Sequence, residues 1–221
     1  MLAAIGRKPN IQNLDLENAG VESTQQGVTV NQYCRTSQKH IYASGDVTGR
    51  FQFTHMAEHM SKVAVTNAIL RIPKSLDEKH VTWATFSDPE LARVGATEDE
   101  LRTRGAKYSV YRLPFAKIDR AIMEGETVGL IKVLAGKSGK ILGASILGTH
   151  GGEMIAEYAV AMRNGVGLQQ LSETIHPYPT YMLGNRQTAD QLSLKWLDSP
   201  ALEILGRLFG YRGVRKGTAA L

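Results

Sequence analysis

The segment from Thr174 to Thr180 constrains the fold most, because two of its seven residues are prolines and a helix cannot run through it. Pro177 and Pro179 fix their own φ angles and push the residue before each of them out of the α region. We therefore expect His176 and Tyr178 to be extended. Thr180 can cap a helix that begins near Tyr181. This pattern predicts a rigid arm that presents Tyr178, although a connector with a packed tyrosine fits it as well.

The first part of the chain, residues 1–75, has a mixed α/β pattern. Short strands are predicted at 26–30 and at 41–43, where apolar residues alternate or cluster beside glycines. A helix is predicted from His55 to Leu70 with Thr54 as its cap. The polar residues that follow Pro73, up to about residue 81, are typical of a linker.

The second part, residues 76–197, predicts an antiparallel sheet with helices. Strands are expected at 81–85, 108–113, 128–134 and 140–147, and helices at 152–164 and 181–197. Thr97 and Glu100 have the spacing of a capping box. The fold class predicted for the chain is α+β. In residues 198–221, basic residues alternate with apolar ones, which predicts a short amphipathic helix. We expect this helix to pack on its own domain, and contact with an anionic membrane surface is the less favoured alternative.

Composition excludes several classes of protein. The 221 residues carry a net charge of +5, but lysine and arginine are spread among 21 acids, so we expect no nucleic-acid partner. No apolar run approaches the ~20 residues of a membrane span, and no secretory signal is recognisable. Cys34 is the single cysteine, which excludes a disulfide framework and fits the cytoplasm. We expect Cys34 to be a small buried residue rather than a nucleophile.

Several motifs in one order resemble the FAD-dependent pyridine nucleotide-disulfide oxidoreductases, the family of dihydrolipoamide dehydrogenase and mercuric reductase. These motifs are Ala4-Ile5-Gly6-Arg7-Lys8-Pro9-Asn10, Ile41-Tyr42-Ala43-Ser44-Gly45-Asp46-Val47, the segment from Thr85 to Gly95, Gly152-Glu153-Met154-Ile155 and the arm. The resemblance covers about residues 1–195. It implies the C-terminal part of such an enzyme, namely the end of a FAD-binding α/β domain followed by a dimerisation domain.

Two features of that family are absent from this sequence. No glycine-rich G-x-G-x-x-G loop follows a strand, and a single cysteine cannot form the Cys-x4-Cys redox pair. The parent enzyme would use FAD and NAD(P)H, and the chain alone is expected to be inactive. The alternative that we keep open is a non-catalytic dimerisation module. A basic binder of polyanions is a third hypothesis.

The resemblance assigns a flavin contact to Gly45 and Asp46. Glycine lets the backbone approach a ligand, and the family's aspartate accepts a hydrogen bond from the flavin's ribityl chain. The start of the next helix, Thr54-His55-Met56-Ala57, would point its positive end at the flavin ring. His55 and His59 lie four apart, but no third ligand is evident, so no metal site is predicted. An Asx turn at Asp46 is the alternative reading.

The arm departs from the thiol-handling members of the family. These place histidine before the Pro-Thr pair and glutamate five residues later, whereas this chain has Tyr178 and Leu183. A phenol is a poor acid-base group at neutral pH, so a metal or another small electrophile is the expected acceptor. The predicted catalytic residues are Tyr178 and His176, where His176 either replaces the missing base or fixes the arm. A homodimer through residues of about 81–197 is expected, with Met154, Ile155, Tyr158 and Met162 as an apolar face for the contact. The alternative is that this face packs in the chain's own core, which the helix must partly do.

Overall fold

The computed structural model describes residues 1–197, 204–206 and 208–210. The chain divides into two compact units, Met1–Val81 and the part from Thr82 onward. The division at residues 75/76 and 197/198 that we drew from the sequence stays a prediction. Among the helices that the structure describes, none combines the length and the apolar character that a membrane span requires.

The first unit contains a two-stranded antiparallel ribbon and one long helix. The ribbon consists of β1 (Ser23–Thr24) and β2 (Gly27–Val28), and a 3-10 turn at Gly45–Thr48 precedes α1 (Thr54–Val65). A π-helical turn at Thr66–Leu70 extends α1, so the predicted helix is present with its last residues wound more widely. The predicted strand at 41–43 is wrong, because only an isolated bridge between Arg35 and Tyr42 forms there.

The second unit has an antiparallel five-stranded sheet in the order β3-β4-β7-β6-β5. The strands are β3 (Thr82–Thr85), β4 (Leu91–Gly95), β5 (Ser109–Pro114), β6 (Leu130–Ala135) and β7 (Ile141–Leu147). The helices are α2 (Glu98–Thr103), α3 (Asp119–Glu124), α4 (Gly151–Arg163), α5 (Leu168–Glu173) and α6 (Leu183–Leu197). The predicted α+β architecture is confirmed, as is the Thr97–Glu100 capping box of α2. Sequence reasoning missed β4, α3 and α5.

The core of the second unit lies between one face of the sheet and the helices α4, α5 and α6. Alternate residues of the strands point into it, as the two-residue period of a strand requires. Met154, Ile155 and Tyr158 of α4 are buried there. The prediction that these residues form the dimer face was therefore wrong, because the apolar stripe of α4 packs on its own sheet. Met162 is partly buried against the same core.

Of the predicted helix in residues 198–221, only 204–206 and 208–210 lie within the described residues. Residues 204–206 and 208 are helical, while 209 and 210 form a turn. The predicted packing of the amphipathic tail on its domain concerns residues that lie mainly outside the described ones.

Candidate functional site

The first candidate site is the turn that joins the end of the Ile41–Ala43 segment to α1. Gly45 has φ = 76°, and a Cβ built on it would lie 3.0 Å from the Cβ of Ala57 on α1. Glycine is therefore required here both by its backbone conformation and by the close approach of the helix. Thr48 Oγ1 donates a 2.8 Å hydrogen bond to the carbonyl oxygen of Gly45, which closes the turn. The turn thus holds Asp46 beside the amino end of α1.

The carboxylate of Asp46 is half exposed and faces a cation. Its Oδ2 lies 3.5 Å from Nη1 of Arg7, and Arg7 also donates to the backbone carbonyl of Gln52. The turn is closed by its backbone, because the carbonyl oxygen of Asp46 accepts a 3.0 Å hydrogen bond from the N–H of Gly49. Because the ion pair is exposed, it contributes little to folding, and the carboxylate stays accessible to a ligand.

The amino end of α1 is built without a side-chain cap. The residue before the helix is Phe53, whose side chain cannot accept a hydrogen bond, and the first turn contains no acid. Thr54 is the first helical residue and not the cap, which corrects the prediction. The ring of Phe53 stacks on that of His55 with the centroids 5.3 Å apart. Met56 is buried and Ala57 contacts the Gly45 turn, so this helix start offers its dipole to an electron-rich ligand.

The second candidate site is the arm between α5 and α6. Tyr178 is 64% exposed, and its neighbour Ile175 is 94% exposed. The sequence predicted that Thr180 caps a helix at Tyr181, and this prediction is wrong. Thr180 Oγ1 donates instead to the carbonyl oxygen of Pro177 at 2.8 Å, and α6 begins at Leu183. This bond closes the arm on itself and leaves Tyr178 at its tip.

His176 fixes the arm to α4. Its Nε2 lies 2.6 Å from Oε1 of Glu157, and its Nδ1 lies 3.0 Å from the backbone oxygen of Thr174. Both partners can only accept, so the imidazole ring serves them as a hydrogen-bond donor. The His176 side chain is 5% exposed. This arrangement favours an anchoring role for His176 over the proton-transfer role that the sequence left open.

Glu157 in turn is held from α6. Asn185, which is fully buried, donates through Nδ2 to Oε2 of Glu157 at 2.9 Å and to the backbone oxygen of Met154 at 3.1 Å. The side chains of His176, Glu157 and Asn185 therefore form one connected group, which we call the anchor cluster. The anchor cluster joins the arm, α4 and α6 through charge-assisted hydrogen bonds in a largely buried place.

A short helix, α3, holds the two tyrosines of the arm region from the other side. A hydrogen bond to the carboxylate of Asp119, together with its negative charge, raises the pKa of the Tyr178 phenol. Tyr181 donates a 2.7 Å hydrogen bond to Glu124 Oε2. Burial is the larger cause and this hydrogen bond the next of a pKa of Tyr181 that is raised to about 12. Both hydroxyls therefore stay protonated at neutral pH and act as donors.

Leu183 takes the position at which thiol-handling relatives carry glutamate, and its side chain is only 6% exposed. The next residue, Gly184, packs so closely that an added Cβ would lie 2.5 Å from Cδ1 of Ile118. The first turn of α6 contains no acidic residue. The carboxylates near the arm come from α3 and α4 instead.

Sequence reasoning missed Glu157, Asn185 and Asp119. Glu157 lies three residues after Met154 on the predicted helix, where the pattern predicts only an ordinary polar surface residue. Asn185 lay inside a predicted helix, where a buried asparagine is uncommon and carries no periodic signal. Asp119 opens a helix of six residues that the pattern did not reveal. Within the described residues, no group of three or more His, Cys, Asp or Glu side chains is arranged to hold a metal ion.

Comparison with known proteins assigns both units to one family. A pyridine nucleotide-disulphide oxidoreductase profile matches residues 1–61, and that family's dimerisation-domain profile matches residues 81–186. The chain belongs to the pyridine nucleotide-disulphide oxidoreductases. Its second unit is the family's dimerisation domain, and its first unit is part of the FAD-binding domain.

Three relatives illustrate the likeness. Dihydrolipoyl dehydrogenase of Bacillus subtilis is 37% identical over 81% of this chain and 38% of its own length. Mercuric reductase of Staphylococcus aureus is 34% identical over 86% of this chain and 35% of its own. The Cu(II) complex of the HOCl-induced flavoprotein disulfide reductase RclA of Escherichia coli superposes with a TM-score of 0.78 at 31% identity, over 84% of this chain and 43% of that one. The chain thus spans about two fifths of the length of these relatives.

Proposed function

We propose that this chain is the C-terminal part of an FAD-dependent, NAD(P)H-using oxidoreductase that reduces a metal ion or another small electrophile. In this proposal the chain supplies dimerisation, part of the flavin site and the acceptor-side arm that carries Tyr178. The observation that carries the proposal is the arm itself. An exposed phenol stands at its tip, and a buried Leu183 replaces the acid that a thiol-handling dyad needs.

The residues of the Gly45 turn fit a flavin. The glycine removes a Cβ that would fill the space beside Ala57, and the Asp46 carboxylate is a half-exposed acceptor for a hydroxyl group. The uncapped start of α1 adds a positive dipole end for an electron-rich edge. We propose that Gly45, Asp46 and the Thr54–Ala57 turn hold the cofactor. Bound there, FAD would relay two electrons from NAD(P)H toward the acceptor.

The residues in and around the arm have separate proposed roles in positioning Tyr178 and in keeping its phenol neutral. The anchor cluster holds the backbone of the arm, so that Tyr178 reaches the acceptor with little loss of conformational entropy. Asp119 accepts the hydroxyl hydrogen of Tyr178 and keeps the phenol neutral. With its hydrogen held by Asp119, the neutral phenol offers oxygen lone pairs to a metal ion, and this role requires no proton to leave at neutral pH.

The nature of the relatives supports a metal acceptor. One relative is a mercuric reductase, and another was solved as a Cu(II) complex. The absence of an imidazole at position 178 argues against reduction of a disulfide substrate, which needs a general acid near neutral pH. The cytoplasmic location inferred from the sequence stays a prediction.

The test is Tyr178→Phe in the enzyme that carries this chain together with its nucleotide-binding parts. We expect turnover with Hg(II) or Cu(II) to fall about tenfold, the value of one hydrogen bond to a charged group. Stopped-flow reduction of the flavin by NAD(P)H is expected to be unchanged, because the arm belongs to the acceptor side. Tyr108→Phe serves as the control, because the hydroxyl of Tyr108 donates to Glu98 of α2 and not to a residue of the arm or α3. Flavin reduction that slows as much as turnover would contradict the proposal, as would rapid turnover with glutathione disulfide.

A further inference from the structure

A polar cavity lies in the first unit, and its lining does not include the residues of the Gly45 turn. Its volume is about 640 Å³, which is within the usual range of small-molecule sites. Four of its lining side chains are basic or can become so: Arg35, Lys39, His40 and Arg71. The lining contains no aspartate or glutamate. The cavity is therefore suited to an anion.

None of these four side chains forms an ion pair within the part of the chain that the structure describes. In the same unit, by contrast, Arg50 pairs with Glu78 at 2.7 Å and Arg7 with Asp46 at 3.5 Å. Gathering unpaired positive charges around one concavity costs electrostatic energy, and an anion bound there relieves it.

The walls of the cavity are tied together by one side chain. Asn67 Nδ2 donates to the backbone oxygens of Tyr33 at 3.3 Å and Lys74 at 2.8 Å, and Asn67 Oδ1 accepts from the backbone N–H of Lys74 at 2.9 Å. The segments before and after α1 are thereby fixed against the helix. A second bond, from Leu76 N to Gln32 O at 2.7 Å, ties the same two segments. The cavity is thus a built concavity and not a gap between loose loops.

The main chain of two of the basic residues, Arg35 and Arg71, has a defined conformation. Arg35 lies opposite Tyr42 in an antiparallel bridge, and its N–H donates to Asn31 Oδ1 at 3.2 Å. Arg71 has φ = 54° and terminates the π-helical turn of α1. Both arginines can present a planar fork of donors, which matches the geometry of a phosphate. Tyr33 and Tyr42 add ring surface to the same lining.

We infer that this cavity binds a small organic phosphate of about mononucleotide size, with Arg35 and Arg71 holding the phosphate, Lys39 adding positive charge and His40 adding a ring N–H donor. The site is separate from the proposed flavin contact at Asp46, and the inference does not depend on the proposed function.

The experiment is isothermal titration of the full chain with AMP, pyrophosphate and adenosine. We expect AMP and pyrophosphate to bind, and adenosine to bind at least tenfold more weakly than AMP. Arg35→Gln and Arg71→Gln should each weaken AMP binding about tenfold, as expected for the loss of a charge-assisted hydrogen bond. Arg104→Gln, which removes the same charge from the exposed end of α2, should bind AMP as the unchanged protein does. Asp46→Asn should also bind AMP unchanged.

Equal binding of adenosine and AMP, or no binding of either phosphate compound, would overturn the inference. An equal loss in Arg104→Gln would show a non-specific effect of net charge and would also overturn it. Loss of AMP binding in Asp46→Asn would move the site to the flavin turn. Arg71 is exposed and its substitution spares the Arg35–Tyr42 bridge, so Arg71→Gln remains informative if Arg35→Gln fails to fold.

Discussion

The side chains of His176 and Glu157 are joined by a hydrogen bond that is mostly shielded from water, and a single change is costly because it leaves one partner unsatisfied. We expect His176→Gln and Glu157→Gln each to lower the free energy of unfolding by roughly 2 kcal/mol. The double variant should lose clearly less than the sum of the two, because neither side chain is then left without its partner. Urea unfolding of the four proteins measures this coupling.

The matched control for this double-mutant cycle of His176 and Glu157 is Tyr178→Phe, since Tyr178 lies on the same arm but is mostly exposed. Its unfolding free energy should stay within about 0.5 kcal/mol of the unchanged protein. Strictly additive losses in the His176 and Glu157 variants would show that the two side chains do not act as a pair.

At the scale of elements, α3 and the start of α6 are joined by Tyr181 and Glu124, and this contact has a pH dependence. An unfolded tyrosine ionises near pH 10, whereas the pKa of Tyr181 in the folded chain is about 12. Its stabilising contribution is therefore complete below about pH 10 and is lost as the pH rises toward about 12. Tyr181→Phe should make the fall of the unfolding free energy across this range shallower.

The same substitution should cost about 1 kcal/mol at about pH 8, because one hydrogen bond is removed. Urea titrations at several pH values provide both quantities. Tyr158, whose pKa is also raised by burial, is present in both proteins and contributes equally to their curves. Parallel curves for the two proteins would mean that Tyr181 ionises normally in the folded state.

The elements also show what the sequence could and could not predict. The strands β5, β6 and β7 and the helix α4 carry a clear period of apolar residues, and each was placed to within two residues. The strand β4, Leu91–Gly95, was missed because it lay inside a segment that was interpreted as a motif. The helices α3 and α5 have six residues each, too few for a period to be visible.

In the candidate sites, too, the sequence pattern indicates some residues and not others. Tyr178, Gly45 and Asp46 could be named as candidates because prolines and glycines mark backbone that side-chain periodicity does not explain, and their roles stay a prediction. The partners of the arm were not found, because Glu157, Asn185 and Asp119 reach it from three different helices. Contacts between residues so distant in sequence depend on tertiary packing, which the local pattern does not contain.

At the scale of the whole molecule, we predict a homodimer through the second unit. With the apolar stripe of α4 buried, the exposed Val160 of α4 and Ile175 of the arm are the apolar residues that we expect at the contact. Val160→Glu and Ile175→Glu should each shift light-scattering mass from the dimer toward the monomer. Leu14→Glu, at an exposed position of the first unit, should not. A monomer of the unchanged chain at all concentrations tested would contradict this prediction.

We also predict that the chain purified by itself is colourless. In the proposed flavin site, Asp46 and the start of α1 would be only some of the contacts, and no glycine-rich G-x-G-x-x-G loop is present in these 221 residues. An absorbance spectrum between about 350 and 500 nm measures this. One flavin bound per chain after purification would show that the turn at Gly45 suffices for tight binding.

The buried Leu183 limits which acid-base pairs the arm can hold. Replacing Tyr178 by histidine would supply one half of a thiol-handling dyad, but the other half requires a carboxylate at the position where Leu183 is buried. Such a carboxylate would be buried without a partner, a change that destabilises a domain severely. The start of α6 would have to be repacked to accommodate it. Substitutions at these two positions alone therefore cannot introduce a thiol-handling dyad without a large loss of stability.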